Sequence, residues 1–132
     1  MQLVADTSVL VAVVANEPER AALVRCTQGW ELIAPHSVHW EVGNALCGLL
    51  RKQRITLAQA VQALRAYRSI PLRFVTVELE EALKIAHAQG LYAYDAYLLR
   101  CALKYQAPLL SLDSQLLEAA RRLRVKIVQV KA

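Results

Sequence analysis

"QLVADTSVLVAVVA" (2–15) holds an apolar tetrapeptide, one acid and a second apolar run. "QLVA" (2–5) reads as a short strand ending at Asp6. The run after it could extend the strand or turn helical. Thr7-Ser8 directly behind Asp6 form a strand-to-helix turn, so a helix is expected. The same alternation continues outward along the chain. "EPERAALVRCTQ" (17–28) predicts a helix with Pro18 in its first turn, and "ELIAP" (31–35) a strand closed by proline. Val38, Val42, Ala45, Leu46 and Leu49 recur at helical spacing within 37–53. "TLAQAVQALRAYRS" (56–69) predicts a helix capped by Thr56. "LRFVTV" (72–77) follows as a strand, and "ELEEALKIAHAQG" (78–90) as a helix with a glycine stop. A helix over 95–106, a strand at "PLLSL" (108–112), a helix over 113–123 and a last strand "VKIVQV" (125–130) complete the order. Strands alternating with helices predict right-handed crossovers and a mainly parallel sheet covered on both faces. The 132 residues fit one domain, with no linker or low-complexity segment.

The composition is 56% apolar, which suits a folded chain with a substantial core. The longest apolar run, "VLVAVVA" (9–15), is far below the roughly 20 residues that span a bilayer. No basic residue precedes it and Asp6 stands before it, so it is read as mature structure rather than a signal peptide. No membrane role and a cytoplasmic location are expected. Cys26, Cys47 and Cys101 lack paired spacing, so buried free thiols are expected, not a zinc site. His36 and His39 have no further ligands to complete a tetrahedron. The net charge of +5 is compatible with a nucleic-acid partner.

The chain has only three aspartates, Asp6, Asp95 and Asp113. Asp6 and Asp113 follow strands, and Asp95 opens a helix. Each is followed by apolar residues at +3, +4 and +7: Val9, Leu10 and Val13; Leu98, Leu99 and Ala102; Leu116, Leu117 and Ala120. Those positions share one helix face. Helix capping accounts for the spacing of any one of them. It accounts less well for all three standing at or near strand ends while glutamates serve the surface. Glu41 is a fourth acid, on the flank of an apolar helical stripe, with Asn44 and Gly48 beside it. Gly48 would let another segment approach. Four carboxylates in a partly buried cluster repel one another unless a cation is present. Hard oxygen ligands point to Mg²⁺ or Mn²⁺. An acidic metal pocket in a basic chain suits a polyanionic substrate and phosphodiester hydrolysis.

Four segments in order, "VADTSVLVA" (4–12), "WEVGNAL" (40–46), "LYAYDAYLL" (91–99) and "LLSLDSQLLEAA" (109–120), resemble PIN-domain ribonucleases. They are most similar to the VapC-type toxins of prokaryotic toxin–antitoxin pairs. The resemblance implies a three-layer α/β/α sandwich around a parallel sheet and Mg²⁺- or Mn²⁺-dependent cleavage of RNA. It implies that Asp6, Glu41, Asp95 and Asp113 are the acidic quartet, with Ser8, Asn44 and Ser111 supporting it. It further implies a homodimer and an antitoxin that blocks the site.

"RKQR" (51–54), "RAYR" (65–68) and "RRLRVK" (121–126) are the basic clusters, each equally readable as a solvated face. Tyr92, Tyr94 and Tyr97 flank Asp95; packing in the core or at a dimer contact is expected, with base stacking as the alternative. Receiver domains, D-x-D phosphatases and dinucleotide folds are disfavoured. Asp6 has no acidic neighbour, Ser8 holds the second D-x-D place, and no Gly-rich turn follows the first strand. The competing function is a non-catalytic RNA- or protein-binding module whose acids are helix caps.

Overall fold

The computed structural model describes residues 1–131. Its sheet has four parallel strands in the order β3-β2-β1-β4: β1 (Gln2–Ala5), β2 (Glu31–Pro35), β3 (Leu72–Val75) and β4 (Leu109–Leu110). The helices are α1 (Thr7–Val14), α2 (Arg20–Thr27), α3 (Ser37–Arg51), α4 (Leu57–Ser69), α5 (Leu79–Gln89), α6 (Ala93–Tyr105) and α7 (Ser114–Arg122). They sandwich the sheet into the expected three-layer α/β architecture.

Side chains alternate across the sheet, so adjacent strand residues serve different cores. Leu3, Leu32 and Leu110 pack with Val9, Ala12 and Leu23 of α1 and α2. Val4, Ile33 and Leu109 pack in a larger core with residues of α3, α4, α6 and α7, among them Val42, Leu98, Leu99 and Leu116. Register matches this division, with Leu3 opposite Leu32 and Val4 opposite both Ile33 and Leu109.

Most element boundaries follow from local chemistry. The Thr56 side chain accepts from the Gln59 N–H while the Gln59 side chain accepts from the Thr56 N–H, a closed capping box at α4. Gly90, at φ 65°, ends α5 in the left-handed conformation. Thr56→Ala is expected to cost about 1 kcal/mol, read by urea denaturation. An unchanged midpoint would mean that α4 is held by packing alone.

Three expectations are corrected. Pro18 lies outside α2: Arg20 N–H donates to Glu17 C=O, making 17–20 a turn before the helix. α6 begins at Ala93 rather than Asp95. The last strand contracts to one parallel bridge, Ile127 to Leu109, because its neighbour β4 is only two residues long. Among the thiols Cys101 is buried, but Cys47 is exposed, and no disulfide forms. No helix among the described residues is long and apolar enough to cross a membrane.

β1 leads by crossovers to β2 and β3 on one side. The chain then returns to place β4 on the other side of β1. The order reverses between β1 and β4, and the crevice beyond their C-terminal ends is where this architecture places ligands.

Candidate active site

Asp6 stands in that crevice, at the end of β1 and 7% exposed. Its backbone N–H donates to Leu110 C=O of β4 at 3.1 Å, fixing it against the neighbouring strand. Ser111 Oγ donates to Asp6 Oδ2 at 2.7 Å and Ser8 Oγ donates to the same oxygen at 2.8 Å. Each hydroxyl also accepts a backbone N–H from the segment after β4: Leu112 to Ser8 at 3.0 Å and Asp113 to Ser111 at 2.9 Å. The serines therefore relay two backbone dipoles onto one carboxylate oxygen and tie the β1–α1 turn to the β4–α7 turn. No side chain among the described residues donates to Asp6 Oδ1.

Asp113 caps α7, its Oδ1 accepting from Gln115 N–H at 2.9 Å and Leu116 N–H at 3.4 Å. Its second oxygen has no hydrogen bond among the described residues. Asp6 occupies the cap position of α1 but makes no side-chain cap bond. Asp95 lies inside the first turn of α6, whose cap position is Tyr92. The expectation that Asp95 caps its helix is thus overturned, and capping explains only Asp113.

The four acids influence one another electrostatically. Burial raises the Asp6 pKa against the lowering effect of both serine hydroxyls and the nearby Thr7 amide, and the Asp113 charge raises it further. Burial, then the charges of Asp113 and Asp6, raise Asp95. Glu41 is pushed up to about 7 by burial and by the charges of Asp6 and Asp95. Thr7 lies close enough to temper that rise, yet Thr7 Oγ1 and Glu41 Oε1 are both buried without a properly formed hydrogen bond. None of the four acids has an ion-pair partner among the described residues.

Burial without a cationic partner is the condition that favours a bound cation. The donors are hard oxygens, suited to Mg²⁺ or Mn²⁺. Asp6 and Asp113 each keep an oxygen that accepts from no side chain among the described residues, and Glu41 Oε1 is orphaned. As the side chains stand, no three His, Cys, Asp or Glu among the described residues converge closely enough to grip an ion. Holding one therefore requires side-chain rotation toward it.

The structure brings Ser8 and Ser111 into the site but not Asn44. Asn44 is exposed on α3 and has no side-chain hydrogen bond to the acids among the described residues. The space where a Cβ on Gly48 would project is open, so no segment approaches there. Tyr92 is 87% exposed and Tyr94 54% exposed, so neither belongs to the core. The sequence reading took Thr7 only as a turn residue and missed its buried hydroxyl beside Glu41.

Ser111→Ala leaves the Asp113 N–H without its acceptor and Asp6 with one hydroxyl donor. A loss of about 1–3 kcal/mol in denaturation is expected, with Ser111→Thr retaining most of the stability. Equal stability of the alanine and parent chains would remove the relay from the account.

A model of the PIN domain family matches residues 3–122. Among solved structures, the chain is similar to the crystal structure of PAE2754 from Pyrobaculum aerophilum. The two are 26% identical, the match covers 90% of this chain and 84% of that chain, and the TM-score is 0.72. No curated protein matches the chain.

Proposed function

The chain belongs to the PIN domain family, and from that premise we propose that it is a Mg²⁺- or Mn²⁺-dependent endoribonuclease. Members of the family are generally nucleases that use divalent metal ions. We propose further that it is a VapC-type toxin of a type II toxin–antitoxin pair, acting as a homodimer and restrained by a cognate antitoxin. Asp6, Glu41, Asp95 and Asp113 are its acidic quartet, with Ser8 and Ser111 positioning Asp6.

The observation that carries the reading is the state of Asp6. It is a buried carboxylate with no cationic partner among the described residues, held by two serines at the reversal of strand order, with three further acids near it. As structure alone this arrangement is unfavourable. A binding module whose acids merely cap helices accounts for Asp113 but for neither Asp6 nor Asp95.

Asp6, Asp95, Asp113 and Glu41 would hold the metal, which when bound neutralises the reacting phosphate and activates water. The serines oppose the effect of burial on Asp6 and aim it. Glu41, whose Oε1 has no hydrogen-bond partner among the described residues, would hold a second ion or orient the attacking water. Water adds to phosphorus and loses its proton to solvent, the P–O3′ bond breaks, the leaving O3′ takes a proton from solvent, and a 5′-phosphate and a 3′-hydroxyl remain.

The test is incubation of total cellular RNA with purified protein in Mn²⁺, in Mg²⁺ and in EDTA. Discrete cuts with metal, and none in EDTA, are expected. Intact RNA under every metal, with the protein folded and free of antitoxin, would leave the binding module as the better account.

A further inference from the structure

α3 carries more than Glu41. Val38 and Val42 form its buried stripe, and helical geometry puts Glu41 on one flank and His39 on the other. Trp40 lies on the outward face between them, 77% exposed. The His39 ring meets the Trp40 ring edge-on at 5.0 Å between centroids, the Tyr67 ring at 5.7 Å and the Phe74 ring at 5.6 Å. His36 stacks on Phe74 at 5.8 Å and an interplanar angle of 21°. His39 Nδ1 and the Tyr67 hydroxyl are hydrogen-bonded at 3.0 Å, which fixes the central ring. Five rings therefore form one connected array along the β3 edge. His36, His39 and Trp40 are its exposed members.

A depression of about 180 Å³ runs through this array, lined by His39, Tyr67, Arg68, Ile70, Leu72 and Phe74. No acid lines it. Arg68 lines its rim and is exposed, with no ion-pair partner among the described residues.

We infer that this aromatic array with its arginine rim is a platform for single-stranded RNA, on which bases flanking the cut are stacked. The inference rests on the reading of the chain as acting on RNA. Aromatic faces accept any base, and arginines track the backbone, which is the combination that single strands use. Charge complementarity favours this occupant: the rim is cationic and the floor has no carboxylate. Position favours it too. Glu41 follows Trp40 directly, and a helix is only about 10–12 Å across. A strand lying over the first turn of α3 would span both platform and acids. A protein partner covering the same rings is the competing occupant, with a different readout.

The chain has two tryptophans, Trp30 and Trp40, so stacking can be followed directly. A single-stranded RNA dodecamer of mixed sequence would be titrated at low salt in EDTA, where cleavage does not compete. Saturable quenching of tryptophan fluorescence is expected in the parent and in Trp30→Phe, and its loss in Trp40→Phe. Trp40→Ala should weaken binding about 5- to 100-fold. Arg68→Ala should weaken it and lower the salt slope by about one ion, with Arg68→Lys largely retaining both. Trp40 is exposed, so these variants should fold, which circular dichroism verifies.

Unchanged affinity in Trp40→Ala would overturn the inference. So would a Trp40 variant that alters only the mass of the assembly, since the rings then serve a protein contact. Metal-dependent cleavage with a silent Trp40 would sink the platform and leave the nuclease. A responsive Trp40 without cleavage under any metal would do the reverse.

Discussion

Asp6→Asn will lower RNA cleavage by a factor on the order of a thousand or more while leaving the protein folded. Metal neutralisation of the reacting phosphate supplies several kcal/mol, and each 1.36 kcal/mol is about tenfold in rate. The substitution removes a ligand charge with almost no change of shape. Asn Oδ1 can still accept from Ser8 and Ser111, which now hold Asp6 Oδ2 at 2.8 and 2.7 Å. Burial raises the Asp6 pKa, so the charge is a burden to the fold. In EDTA the variant should therefore melt no lower than the parent. A folded Asp6→Asn protein that cuts RNA normally would remove Asp6 from the chemistry. One that loses activity only because it unfolds would make the carboxylate structural.

The second large effect couples protons, metal and stability. Glu41 titrates at about 7 in the folded chain against an ordinary value of 4.5. Between those values the folded state holds a proton that the unfolded state has released. Protons therefore stabilise the fold at the acid end, and this stabilisation is lost as pH rises from about 4.5 through 7. Asp6 and Asp95 are raised as well and act in the same direction. A divalent ion binds the deprotonated acids, so it should stabilise little at pH 5 and most at pH 8. At a hundred times its Kd an ion adds about 2.7 kcal/mol, which corresponds to roughly 10 °C in Tm for a chain of this size. Scanning calorimetry across pH, with Mg²⁺ or EDTA, reads the whole relation. Glu41→Gln should flatten the pH slope in EDTA and reduce the metal effect. A metal-free Tm that climbs from pH 5 to 8 would contradict the electrostatics of the site.

The sequence carried the architecture because its signals were local. Strands and helices alternate in clean apolar blocks, and Thr56 with Gln59 and Gly90 are chemical boundary marks. The three aspartates stood out for the same reason, each being followed by a helical apolar pattern, and Glu41 stood out as an acid on the flank of an apolar stripe. What failed was settled by contacts between distant segments. "VKIVQV" has strand composition, yet its extent is limited by β4, whose two residues offer little edge. Asp95 looked like a cap because aspartate is a good one; α6 instead starts two residues earlier, with Tyr92 at the cap position and no side-chain cap bond. The resemblance named both serines as supporting residues, but that they share one oxygen of Asp6 could not be read, because Ser111 stands 105 positions from it.

That separation also sets an order of events during synthesis. β1 is made first and one of its edges can be paired early, by β2. Its other edge waits for β4, near the end of the described chain. Until then a central apolar strand has an open flank, the kind of surface on which nascent chains misassociate. The same delay is protective for a cell that makes a nuclease. A chain made only through α6 holds Asp6, Glu41 and Asp95 but neither Ser111 nor Asp113. Pairing at the open edge of β1 and the gathering of the four acids are completed together.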